Sequence, residues 1–253
     1  MLLWGWLKMP IINKLTAIAE AIRSKTETTD LLTLDEMPSA IEGIQSGGGV
    51  NSPINYMTTT AQSAFMGVTF PDGYHIEYEP KNLKAEEETT NVFNLTSMFQ
   101  NVKGLEKFKL ITRNKKRKTN ITAMFSAITS LKVVDFSECD LVFTGVQHTF
   151  GNCTALEEIK GELTLTSDVT SYLNMFVNCK QLKEVRFTKE TLRYSLNMGN
   201  SPLLSAESIQ SIIDALVDFT GGTARTLTLH ATVKAKLTEE QIAQITAKNW
   251  TLA

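Results

Sequence analysis

The chain is poor in the residues that carry chemistry. Its 253 residues include three cysteines, three histidines and six prolines. Cys139, Cys153 and Cys179 are an odd set without C-x-x-C spacing, which argues against both a disulfide framework and a zinc site. His75, His148 and His230 lie far apart without a partner pattern, and H-E-x-x-H, G-x-S-x-G and calcium-loop motifs are missing. Acidic residues are plentiful, but no diagnostic spacing pairs them. These absences predict a non-enzymatic protein with no metal and no cofactor. Charge excludes more. A formal net charge of −2 gives no overall field to drive the molecule onto nucleic acid or an acidic membrane, so neither partner is expected. No stretch approaches the ~20 apolar residues of a membrane span, so insertion is not expected either. The opening Met1-Leu2-Leu3-Trp4-Gly5-Trp6-Leu7 is too short for a signal-peptide core and lacks a basic leader. Met9-Pro10-Ile11 reads as a natural start, which makes residues 1–8 an upstream extension with no expected folding role.

What is present is organised in pieces. Ile11, Leu15, Ile18, Ala19 and Ile22 recur at helical spacing behind Pro10, and Leu34, Met37, Ile41 and Ile44 form a second such set after Thr33. Gly47-Gly48-Gly49, with no Lys-Ser/Thr behind it, reads as a flexible linker and not a phosphate cradle. Met66 to Phe70 and Tyr74 to Tyr78 flank Pro71-Asp72-Gly73, which has the chemistry of a turn and predicts a β-hairpin. Asn82 to Asn91 reads as a solvated connector.

From Asn94 onward the chain repeats. Phenylalanines at 99, 125, 150 and 176 and leucines at 105, 131, 156 and 182 keep the same steps of 26, 25 and 26 residues. Each leucine opens L-x-x-φ-x-φ: Phe108 and Leu110 follow Leu105, Val134 and Phe136 follow Leu131, and Val185 and Phe187 follow Leu182. After Leu156 the pattern gives Ile159 but then Gly161, the exception. The last two positions of the motif fall on one face of a short strand. Asn101, Asn152 and Asn178 share a slot, with Ala127 the departure, and an asparagine amide there can satisfy turn backbone groups. Val102, Ile128, Cys153 and Cys179 share the next slot. Cysteine therefore reads as a small apolar filler, and all three cysteines as buried thiols, because parallel stacked side chains converge poorly for a disulfide. His148 shares with Ser97, Ala123 and Asn174 a slot that reads as tolerating any residue type.

Beyond Phe187 the repeat gives way to closing elements. Ser205 is placed to cap a helix carrying Ile209, Ile212, Ile213 and Leu216, and Thr226 to Leu229 reads as a strand. Thr238-Glu239-Glu240-Gln241 is a capping box for a helix with Ile242 and Ile245, followed by the strand Trp250-Thr251-Leu252. The cluster Arg113-Asn114-Lys115-Lys116-Arg117-Lys118 has no interleaved aromatic to stack bases, so it reads as a solvated loop. The sequons Asn94-Leu95-Thr96, Asn120-Ile121-Thr122 and Asn152-Cys153-Thr154 read as incidental.

A period of 25–26 residues with this pattern matches leucine-rich repeats. Phe150-Gly151-Asn152-Cys153-Thr154-Ala155-Leu156-Glu157-Glu158-Ile159 and Phe176-Val177-Asn178-Cys179-Lys180-Gln181-Leu182-Lys183-Glu184-Val185 resemble the BspA type, whose coils read roughly F-x-N-C-x-x-L-x-x-I. The first two copies lack its cysteine, and the second also lacks its asparagine. Ile18 to Thr26 with Leu34 to Ile41, and at the other end Leu203 to Ile209 with Lys248 to Leu252, resemble opening and closing segments of bacteriophage and prophage tail- or baseplate-associated proteins.

The resulting expectation is an α/β leucine-rich-repeat solenoid of four short-strand repeats, with N-terminal helices, a small β segment and a C-terminal helix-strand cap. Its parts are a helical attachment segment at 1–46, a glycine linker and β-rich segment at 47–93, repeats at 94–190 and a cap at 191–253. The family likeness implies a phage or prophage tail component, located in the virion, or in the bacterial cytoplasm before assembly. Its N-terminal helices would meet tail or baseplate proteins while the repeats face a host-surface protein or glycan, and homo-oligomers would fit the same pattern. The alternative is a free-standing adhesion or ligand-binding protein at the bacterial surface. Binding through the repeats falls to the outward strand positions: Lys107, Lys109, Val133, Asp135, Glu158, Lys160, Glu184 and Arg186.

Overall fold

A computed structural model describes residues 51–54, 62–79 and 92–253. The chain divides into two compact units, Met1–Val50 and Asn51–Ala253. The expected N-terminal helices, residues 1–8 and the glycine triplet lie outside the described residues, as does the connector at 82–91.

The second unit is built on parallel strands: β1 (Asn51–Ile54), β2 (Thr69–Tyr78), β3 (Phe93–Asn94), β4 (Lys103–Asn120), β5 (Val133–Gly145), β6 (Glu158–Leu165) and β7 (Glu184–Phe187). Their order is β1-β2-β4-β5-β6-β7, with β3 pairing on β4. This corrects the expected leucine-rich-repeat solenoid of short strands and helices. The strands form a curled half-barrel sheet, and helices among the described residues are confined to the C-terminal part. The physical reason lies past the φ-x-φ pair. In β5 the alternation of Val134 and Phe136 resumes at Leu141 and Phe143, all four buried, so period-two burial outlasts the short strand. β4 and β5 accordingly pair in two arms, Lys107–Ile111 with Val133–Glu138 and Lys116–Asn120 with Asp140–Gly145, and the sheet bends between them.

Successive layers meet again through tight turns. Phe99 N–H donates to Met124 O at 2.9 Å, Phe125 N–H to Thr149 O at 3.0 Å and Phe150 N–H to Met175 O at 3.0 Å. The four phenylalanines stack at centroid separations of 6.0, 5.8 and 5.6 Å. They and Leu105, Leu131, Leu156 and Leu182 are essentially inaccessible to solvent. Each turn holds two left-handed residues four apart: Ser97 and Asn101, Ala123 and Ala127, His148 and Asn152, Asn174 and Asn178. Asparagine recurs because its short polar side chain tolerates positive φ better than most. The slot of His148 is therefore constrained, with φ from 51° to 56° in all four copies.

An earlier layer precedes these four. Ser63 and Gly67 have the same left-handed pair, and Phe65 stacks on Phe99 at 5.2 Å. The predicted hairpin is replaced by this layer. Thr69–Tyr78 is one strand parallel to β4, and Pro71-Asp72-Gly73 sits in a bulge between the pairs Thr69 with Lys103 and Tyr74 with Leu105.

The exception at Gly161 is also a bulge. Its φ is +84°, and a Cβ there would lie 2.9 Å from the Phe136 backbone carbonyl. The extra residue moves Leu163 into pairing with Phe187, and Leu163 fills the buried position.

At the other end α1 (Ala206–Ala215) closes the sheet. Ser205 Oγ accepts from Ser208 N–H at 3.1 Å, capping the helix. Ser208 Oγ accepts from Val185 N–H and Ser211 Oγ from Phe187 N–H, so two hydroxyls three residues apart replace the next strand. A second sheet follows, β10-β9-β8, from β8 (Leu196–Met198), β9 (Arg225–Leu229) and β10 (Trp250–Leu252). α2 (Ala231–Lys234) and α3 (Glu239–Ala247) connect β9 to β10. Thr238 and Gln241 form a reciprocal capping box on α3. Ile245 is buried there, but Ile242, expected on the same face, is exposed. Among the described residues no helix is long and apolar enough to cross a membrane.

Candidate functional site

The strand positions singled out from the sequence lie side by side. Lys107 pairs with Val133, Val133 with Glu158 and Glu158 with Glu184, while Lys109 pairs with Asp135 and Asp135 with Lys160. Paired residues in a parallel sheet share a face, and neighbouring strands are about 4.8 Å apart. The residues between them, Phe108, Val134, Ile159 and Val185, are buried on the opposite face. Lys107, Lys160 and Arg186 are exposed, and the other five are half-buried.

The structure changes the ladder at both ends. Arg186 lies opposite Glu162 and not Lys160, because the Gly161 bulge shifts the register. An opposite charge thus replaces a like charge across from the arginine, which stabilises the pair. At the other edge His75 pairs with Lys107 and Glu77 with Lys109, extending the ladder onto β2. Those two residues escaped the sequence reading because the assumed hairpin gave their strand the wrong partner. The alternation of Ile76 and Tyr78, both buried, was the signal that could have found them.

Several ladder charges are already engaged. Lys109 pairs with Glu138, whose hydrogen bond raises the lysine pKa above its ordinary value. Lys160 pairs with Glu158 at 3.8 Å. Asp135 accepts from Ser137 N–H at 2.8 Å, and Glu184 accepts from the hydroxyls of Ser205 and Ser208. Beside the ladder runs a column of alternating sign, Glu106, Lys132, Glu157 and Lys183. Lys132 pairs with Glu106 at 3.3 Å and Lys183 with Glu157 at 2.8 Å, and the latter lowers the Glu157 pKa. Shallow depressions follow the ladder. One is lined by Lys107, Val133, Glu158 and Glu184, the next by Lys160, Gly161, Glu162, Arg186 and Glu207, and a third continues past Arg186 to Gln210, Ser211 and Asp214 of α1. Arg186 borders two of the three.

The remaining candidates are scattered. His148 occupies a turn, and His230 accepts from Thr232 N–H through Nδ1 at 3.2 Å to start α2. Within the basic cluster Arg117 is buried and Lys118 pairs with Asp168 at 3.0 Å, so those two are not the solvated loop expected. Cys153 and Cys179 are buried free thiols that donate to Phe125 O and Phe150 O, whereas Cys139 is half-buried and donates to Leu110 O. Burial pushes the Cys139 and Cys153 thiols up to about 12. Among the described residues no group of three or more His, Cys, Asp and Glu is placed to hold a metal ion.

No protein-family model matches the chain, and no curated protein or solved structure matches it either.

Proposed function

We propose that this chain is a non-catalytic binding protein whose partner lies along the β2–β7 ladder, and that it serves as a tail-associated component of a bacteriophage or prophage. The observation that carries the binding reading is the ladder itself, a row of charged side chains held in register by parallel strands and followed by depressions. A rigid row of this kind recognises a partner by charge pattern, with affinity that weakens in salt. The tail assignment rests on the likeness of Ile18–Thr26, Leu34–Ile41 and the C-terminal segments to tail-associated proteins. In this reading the N-terminal segment at 1–46 attaches the protein to tail or baseplate proteins, and the ladder meets a host-surface protein or glycan.

The test compares the full chain, a Glu158→Lys/Arg186→Glu variant and a chain beginning at Asn51 for binding to tail assemblies and to host cell walls. The charge-swapped variant is expected to lose about tenfold in cell-wall affinity and keep tail binding. The shorter chain is expected to lose tail binding alone. Undiminished wall binding by the charge-swapped variant would end the ladder reading, and equal tail binding by the full and shortened chains would end the attachment reading. Wall binding with no tail binding by the full chain would instead favour a free-standing surface protein.

A further inference from the structure

We propose that Arg225, on the second sheet and apart from the ladder, anchors a site for the carboxylate of an acidic sugar. Arg225 opens β9 and pairs in register with Trp250 of β10. Its guanidinium carbon lies 5.0 Å from the Phe219 ring centroid and 5.7 Å from that of Tyr194. Each ring is braced in turn, Phe219 by Trp250 at 6.2 Å and Tyr194 by Tyr172 at 5.9 Å. The two rings fix the plane of the guanidinium by cation–π attraction, so little side-chain freedom is left to lose when a ligand binds.

The donors of this arginine are unspent. Its Nε is buried with no hydrogen-bond partner, and among the described residues no carboxylate pairs with it. Asp218, close by in the chain, turns its carboxylate to Thr220, accepting from that N–H at 2.8 Å. A buried arginine nitrogen without an acceptor is uncommon. The terminal nitrogens are not sealed in the same way and remain open to an acceptor from solvent. Two parallel N–H groups on one plane match the two oxygens of a carboxylate.

The surroundings favour a sugar. Ser195 Oγ accepts from Thr226 N–H at 3.0 Å, one residue along β9 from the arginine, which leaves its own proton to donate. Thr223, two residues before the arginine, is exposed and adds a hydroxyl of the kind that meets sugar hydroxyls.

The experiment titrates the full chain with glucuronate by calorimetry, with glucose, acetate and an acidic peptide as comparisons. Saturable glucuronate binding is expected, with acetate weaker and glucose silent. Arg225→Lys, which keeps the charge but not the planar fork, should weaken glucuronate binding at least about tenfold. Ser195→Ala leaves the stacked arginine in place and should weaken it about threefold, which keeps the proposal testable if Arg225→Lys folds poorly. The proposal is overturned by absent glucuronate binding, by unchanged binding in both variants, or by tighter binding of the acidic peptide.

Discussion

Replacing Phe150 with alanine tests whether the phenylalanine column is the axis of the core. Phe150 is fully buried, with Phe125 stacked at 5.8 Å on one side and Phe176 at 5.6 Å on the other. A buried aromatic removes roughly 150–250 Å² from water, worth about 4 to 6 kcal/mol at ~25 cal/mol per Å². Alanine recovers a little of that area, and neighbouring layers cannot collapse into the gap because hydrogen bonds hold their turns in place. The expected loss is therefore about 3 to 5 kcal/mol. Phe65 is only half-buried and stacks on Phe99 at 5.2 Å. Phe65→Ala should cost about half as much. Urea denaturation of the two variants, followed by far-ultraviolet circular dichroism, compares the losses directly. An equal or greater loss for Phe65→Ala would refute the argument, because the cost would then not follow the area each ring buries.

Ala127 alone among its four repeat equivalents is neither asparagine nor glycine, yet it sits at φ +63°. Ala127→Gly removes the left-handed penalty and should raise stability by roughly 1 kcal/mol, read as a higher melting temperature; a lower one would mean the turn strain is misjudged. With thiols held up to about 12, Cys139 and Cys153 carry about one part in ten thousand thiolate at pH 8, so the native protein should react with a disulfide reagent far more slowly than the urea-unfolded chain. Rapid reaction of the folded protein would show that the thiols are reached by solvent.

The sequence by itself determined the columns. Identical spacing of phenylalanine and leucine forces those side chains to the same depth in every layer, because each layer can bury its apolar face only against the next. The helix starts were legible for a similar reason, since Ser205 and Thr238 bond to N–H groups three residues away and need no distant partner. The charged ladder was legible as far as alternation fixes which residues share a face. The tertiary structure alone decided the path between columns. Whether a return segment coils into a helix or extends into a second strand arm depends on what the neighbouring layer offers its backbone, and here that neighbour offers strand. The same holds for Pro71-Asp72-Gly73, whose turn chemistry suits a hairpin or a bulge equally well; pairing of Ile76 and Tyr78 with Phe108 and Leu110 of β4 selects the bulge. At Gly161 the sequence showed a missing apolar residue, and only the register across β6 and β7 showed that Leu163 replaces it and that Glu162 comes to face Arg186. Spacing along the chain records local geometry, whereas partner choice is made by hydrogen-bonding groups far apart in sequence, and that information exists only once the layers have stacked.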